Sequence, residues 1–422
     1  MSIGEPPSQG PTDPEVAPVV RRRHGQESDG RVRPGRGARR LRRRRTTGWW
    51  VAATVLSVVA AGALGWLGWQ ASLKITGGTP VVTDPSAPDY VAEVEPTPVD
   101  LVAVEDGTGA LAAALIVVLE PDGSGGTVIP VSSRMFVLAT DTAPQLELDR
   151  VYAQGGLDAL RERLGRAVGF GFTSAESVTA AEFVELSDLA GPVEIDNFEN
   201  LSPAPDFDDP PIDPADAPII YPSGPLTLDR SNIVDFTAIV GRGENVDNRS
   251  LRQQQVWEAL LGALQGRDVS GTGGALGAVL AEVLGAEYRF EQLPTVTLPQ
   301  PDSVFVITVP DEATLPSFTA RIIAAPVSAY PGQRPRTRIL NGTRDPGAVA
   351  PVGPRVVESG GLIASVGNAS SFDEPATRVE WVAPAAEAVA RRLADELGAT
   401  AGPATVDPTL ADIIVVVGGT PG

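Results

Sequence analysis

The sequence predicts an α/β protein that hangs from a single transmembrane helix and ends in a small separate α/β unit. Three observations predict this class. Residues 49–69, WWVAATVLSVVAAGALGWLGW, form an uncharged run of 21 residues, enough to cross a hydrocarbon core of roughly 30 Å. Beyond it, apolar runs of strand length alternate with stretches of helical period. After the Pro-rich joint YPGQRP (Tyr330–Pro335) the chain reads strand, helix, strand, strand, helix, strand, a unit of roughly 85 residues and so of domain size.

The apolar run follows RRLRRRR (Arg39–Arg45) directly. Arginine-rich flanks stay in the cytoplasm, so the tail faces in and the bulk of the chain faces out. Trp49 and Trp50 at one end and Trp66 and Trp69 at the other suit the two interfacial belts. A cleaved signal peptide is the alternative. Its apolar region is normally about 7–15 residues and lies nearer the start, so an uncleaved helix over 46–72 is expected. Residues 1–45 are Pro-, Gly- and Arg-rich and read as a disordered cytoplasmic tail. Residues 73–101 have scattered prolines and no period, and read as an extended tether.

Charge and composition narrow the chemistry. The chain carries a net charge of −20; residues 1–45 hold 12 Arg and 5 acidic residues, which leaves −27 for the remainder. There is no Cys, the only His is His24 in the tail, and the only Lys is Lys74. Cys/His zinc sites and Ser-His-Asp hydrolysis are therefore excluded outside the membrane. An acidic body is a poor docking surface for nucleic acid, and a phosphate ligand would need a local Arg cluster.

Structure resumes at LAAALIVVLEPDG (Leu111–Gly123), a strand that forms a hairpin with TVIPV and MFVLAT across Gly-rich residues 123–126. Leu157, Leu160, Leu164 and Val168 recur at helical spacing, and EFVELSDLAGPVEID ends as a strand. LSPAPDFDDPPIDPADAP (Leu201–Pro218) lacks calcium-loop spacing and reads as a solvated loop. Two amphipathic helices follow, one with Val256, Leu260, Leu261 and Leu264 on one face, the next with Leu276, Val279, Leu280, Val283 and Leu284. In the terminal unit, Pro384 opens and Gly398 closes a helix with Val389, Leu393 and Leu397 on one face.

That terminal unit resembles the LytR C-terminal domain of actinobacterial envelope proteins. The likeness rests on RILNGT (Arg338–Thr343), SVGNA (Ser365–Ala369), TRVEWV, EAVARRLADELG and ADIIVVVGG, in order over 334–420. Pro351 and Pro354 stand where that family runs an Ala-rich helix, so a shortened helix is expected. Residues 102–325 resemble a diverged LytR-CpsA-Psr domain through LIVVLEPDG, VYAQGG (Val151–Gly156), DLAGPVEID and GRGENVDNRSLRQQQVWEALL (Gly241–Leu261). The resemblance implies an extracytoplasmic α/β/α sandwich with a mixed sheet, followed by a βαββαβ domain. It implies an envelope protein on the outer face of the membrane, where the family's enzymes transfer glycopolymer from polyprenyl-pyrophosphate lipid to peptidoglycan.

Such transfer depends on Arg and a carboxylate-held divalent cation. The family's Arg-x-Asp falls here on Ala110, Leu111 and Ala112; its Pro-Arg-Asp falls on Ser132, Ser133 and Arg134, or on Val131 and Ser132 under a shifted alignment. Both Asp are gone. Arg242, Arg249, Arg252 and Gln253 fit the Arg-bearing loop and helix start, and with Arg134 they are the candidate pyrophosphate-binding residues, weighed against a plain solvated helix face. No metal ligand is assigned; an active enzyme would need magnesium on a carboxylate such as Asp106 or Asp141. The expectation is a degenerate, catalytically silent member that binds lipid, polymer, peptidoglycan or partner proteins in cell-wall assembly. An active phosphotransferase is the alternative, and a membrane-bound regulator a second one, ranked last because the tail has no helix-turn-helix period.

Overall fold

Leu111–Leu119, LAAALIVVL, is buried along its whole length, as expected of a strand covered on both faces. The computed structural model describes residues 82–121, 125–139, 144–204, 217–300, 306–405 and 411–419. The tail at 1–45, the apolar run at 46–72 and Asp141 lie outside them. Among the described residues, no helix is long and apolar enough to cross a membrane.

The first strands are β1 (Val91–Glu93), β2 (Val99–Glu105), β3 (Leu111–Leu119) and β4 (Gly125–Ser132). A short antiparallel pair, β5 (Phe136–Val137) and β6 (Leu146–Glu147), leads into α1 (Leu148–Val168). Then come β7 (Ser174–Val178), α2 (Ala180–Ala190), the antiparallel pair β8 (Val193–Asn197) and β9 (Gly224–Leu228), and α3 (Ile233–Ala238). Next are α4 (Val246–Leu264), α5 (Gly274–Leu284), β10 (Glu287–Phe290), the hairpin of β11 (Thr295–Pro299) and β12 (Val306–Pro310), and α6 (Leu315–Ile322).

The main sheet runs β10-β4-β3-β2-β7 and is mixed: β2, β3 and β4 are antiparallel neighbours, and β10 and β7 join parallel at the edges. Alternation along the strands sends residues to opposite faces. Val102, Val104, Ala113, Leu115 and Val117 pack with residues of α2 to α5, around Trp257 and Phe183. Leu101, Ala103, Ala114 and Ile116 pack with residues of α1 and α6. A capping box fixes the start of α2: the Thr179 hydroxyl accepts from the Glu182 N–H, and the Glu182 carboxylate accepts from the Thr179 N–H at 2.9 Å. The helical spacing of Leu157, Leu160, Leu164 and Val168 is that of the second of two helical stretches in α1; a first begins at Leu148, and Gly156 (φ 63°) kinks the chain between them.

The terminal unit comprises β13 (Arg336–Asn341), α7 (Val352–Glu358), β14 (Leu362–Asn368), β15 (Arg378–Trp381), α8 (Glu387–Leu397), β16 (Thr400–Pro403) and β17 (Ile413–Val417). Its sheet order is β1-β14-β13-β17-β15-β16. Two of its six strands differ from the expected βαββαβ pattern. One is β16, parallel to β15. The other is β1, which comes from the segment expected as a tether and pairs antiparallel with β14.

The tether assignment does not hold for the described part of that segment: residues 91–93 and 99–105 are strands of two different sheets, and before β1 the carbonyls of Pro85 and Ala87 accept from the Asn368 amide. The pairing depends on Gly367: a Cβ there would lie 2.0 Å from the Tyr90 carbonyl oxygen. Arg334 joins the two α/β units. Its guanidinium donates to the carbonyls of Gly169 at the end of α1 (2.7 Å), of Val357 in the last turn of α7 (3.1 Å) and of Gly361 after it (3.0 Å).

Candidate functional site

The site is built where the last turn of α3, the start of α4 and the start of β3 meet. A helix leaves its final carbonyls without intrahelical donors and carries partial negative charge at that end. Here the orphan carbonyls of Phe236, Thr237, Ala238 and Ile239 face the first turns of α4. Asn245 caps that helix by accepting from the Asn248 N–H at 2.7 Å. Arg249, Arg252 and Gln253 follow at i, i+3 and i+4, so they share one face.

Every one of the three is buried. Arg249 donates to the carbonyls of Ala238 (2.7 Å), Ala112 (3.1 Å) and Ile239. Arg252 donates to the carbonyls of Phe236 and Ile239, the latter at 2.8 Å. It also pairs with both carboxylate oxygens of Glu244, at 2.7 and 3.1 Å. Gln253 donates to the carbonyls of Ala112 and Thr237, each at 3.2 Å. The Glu244 carboxylate, 1% exposed, also lies 3.7 Å from Arg249 and accepts from the Gly241 N–H. Burial, with a contribution from the neighbouring Arg252, pushes Arg249 down to about 10, so its guanidinium stays charged at neutral pH. Two buried cations thus share one buried carboxylate and a set of backbone carbonyls, which offsets most of the cost of burying their charge, while Arg249 Nε and Gln253 Oε1 are left without a hydrogen-bond partner.

Arg134 stands apart from the cage, with 41% of its side chain exposed. It pairs with Glu147 at 2.7 Å and lies 3.8 Å from Asp149, at the entry to α1. Its charge, like that of Asp149, is felt by Arg249. Burial, aided by repulsion from Asp149, holds the Glu147 carboxyl above its ordinary value despite Arg134 and Arg150. Arg242 lies on the loop before Glu244, half-buried, with its backbone N–H donating to Ser202 O at 2.7 Å.

The three motif positions read from the sequence therefore do come together. Ala112 supplies a carbonyl where the resemblance would place a carboxylate, the Ser133–Arg134 turn lies beside it, and Arg249 and Gln253 close the group. Ala112 and Ser133 are 3% and 2% exposed. Three of the five candidate pyrophosphate ligands, Arg249, Arg252 and Gln253, are engaged with backbone carbonyls and Glu244. Glu244 itself was not anticipated; it lies five and eight residues before the arginines it serves, and no helical spacing signals that.

Among the described residues, no three His, Cys, Asp or Glu side chains converge, and Glu147 and Asp149 both face Arg134. Asp106 is committed to the β2–β3 turn, accepting from the Thr108 N–H and hydroxyl (both 2.7 Å) and the Ala110 N–H (3.0 Å). Burial alone would raise its carboxyl, but these hydrogen bonds together bring it below the usual range.

Fold and site together define a mixed α/β protein with a buried cage of two arginines, one carboxylate and backbone carbonyls at the end of its main sheet. Its terminal unit is a LytR C-terminal domain: residues 334–420 match the family described as LytR cell envelope-related transcriptional attenuator. A search of curated proteins finds no match to the chain. Solved structures with a similar chain path include a transcriptional regulator from Enterococcus faecalis, at 18% identity and TM-score 0.40 over 54% of this chain and 86% of that one. TagV of B. subtilis is similar at 14% identity and TM-score 0.39, over 53% and 94%. TagT bound to LIIa-WTA is similar at 12% identity and TM-score 0.40, over 57% and 92%. The domain match carries the assignment; these distant likenesses do not.

Proposed function

We propose that this is a membrane-anchored cell-envelope protein of LytR-CpsA-Psr type that serves cell-wall assembly by binding and not by transfer. Its ligand would be a polyprenyl-pyrophosphate-linked glycopolymer, with partner envelope proteins recruited on the outer face of the membrane. The observation that supports it is the state of the arginine cage. In a transferase, guanidinium and metal stabilise charge that develops on the transferred group. Here Arg249 and Arg252 are turned onto the carbonyls of α3 and onto Glu244, and the positions read as Asp in the resembling family are Ala112 and, depending on alignment, Ser132 or Arg134. Arg134, half-exposed beside the cage and paired there with Glu147, is the cation that would meet a pyrophosphate.

The test is a turnover assay on the purified full chain with a polyprenyl-pyrophosphate-linked glycan and magnesium, run beside an active member of the family. The reading expects no glycan transfer, together with saturable binding of the lipid that Arg134→Ala weakens. Turnover comparable to the active protein would overturn it.

A further inference from the structure

A cavity of 510 Å³ lies between the two α/β units, away from the arginine cage. Ligand pockets are commonly about 300–1,000 Å³ and gather at domain interfaces. This one is assembled from four distant stretches of chain: the β1–β2 connection, residues 120–121 after β3, α6 with the residues after it, and α7 with β14. Its wall is pinned, since Thr97 and Ala325 exchange hydrogen bonds: the Thr97 N–H donates to the Ala325 carbonyl and the Ala325 N–H to the Thr97 hydroxyl, both at 2.9 Å.

The floor is apolar, with Val94, Ala320, Ile363 and Val366, while Glu95 and Glu120 stand among the lining residues. Neither of these carboxylates is ion-paired or side-chain hydrogen-bonded among the described residues. Arg321, which also lines the cavity, is already held by Glu291. The cavity therefore combines apolar surface with two uncompensated negative charges. A ligand matching both is an ammonium on an aliphatic stem, which lays its methylenes on the floor and keeps its charge at the rim. We infer that the interdomain cavity binds a short peptide carrying a lysine-type side chain, with its amine recognised by Glu95 and Glu120. Because both units wall the cavity, such a peptide also holds them together.

The experiment measures binding of acetyl-Ala-Ala-Lys-amide to the full chain in detergent by titration calorimetry, beside the norleucine and glutamate counterparts. The lysine peptide should bind saturably and the glutamate peptide should not. Glu95→Gln with Glu120→Gln should weaken binding at least about tenfold, as should Ala324→Trp, which fills the cavity from an exposed position. Glu176→Gln, an exposed change on β7, should leave it unchanged and so rule out general attraction to an acidic body. Equal binding of the lysine and norleucine peptides, unchanged affinity in the double variant, or no saturation below about 10 mM would overturn the inference.

Discussion

Arg252 grips Glu244 in a two-pronged buried pair, Nε 2.7 Å from Oε1 and Nη2 3.1 Å from Oε2. The planar guanidinium matches the carboxylate in this geometry, and the pair ties the loop before α4 to that helix. Replacing Glu244 with Ala would leave two buried guanidiniums without their shared counter-ion. The expected loss is about 3–5 kcal/mol of stability, read by denaturant unfolding. A loss below about 1 kcal/mol would show that the carbonyls alone satisfy both cations.

Arg334 is the corresponding test of the contact between the two units. It is buried, satisfied by three carbonyls, and burial holds its guanidinium down at about 10. Arg334→Met removes all three bonds while keeping much of the side chain's volume. We expect a loss of about 2–4 kcal/mol and separate melting of the two units by calorimetry. A single unchanged transition would count against an arginine clamp.

The strand shared between units makes a sharper prediction. Gly367→Ala puts a methyl against the Tyr90 carbonyl, so β1 must shift or detach from β14. The expected cost is about 1–3 kcal/mol, with faster hydrogen exchange confined to 90–94 and 364–368. Exchange as slow as in the unchanged chain would mean that β1 contributes little.

Glu147 predicts a pH dependence. Burial raises its carboxyl in the fold above its ordinary value. A raised folded value favours the native state below the unfolded value, and that advantage disappears as pH climbs through the folded one. The melting temperature of wild type relative to Glu147→Gln should therefore fall as pH rises from about 4 to 7. A relative rise over that range would show that the Arg134 pair outweighs burial.

Much of this architecture is legible in the sequence because it rests on local pattern. LAAALIVVL marks the central strand by its unbroken apolarity, and Val389, Leu393 and Leu397 mark α8, with Gly398 in the left-handed conformation at its end. The strand β1 is not legible, because VAE between prolines has no period of its own. It becomes a strand only because β14 offers an open edge. The fate of Arg249 and Arg252 was equally hidden. Their spacing shows a shared helix face, but their acceptors are the carbonyls of α3 and of Ala112, and Ala112 lies far away in sequence.

The central claim is that the α/β body works on the outer face of the membrane. An epitope tag placed after Gly422 and probed on intact cells with an added protease tests it most directly. The account predicts a tag that is cut without lysis, while a tag at the N-terminus stays protected. Protection of the C-terminal tag until the membrane is broken would contradict it.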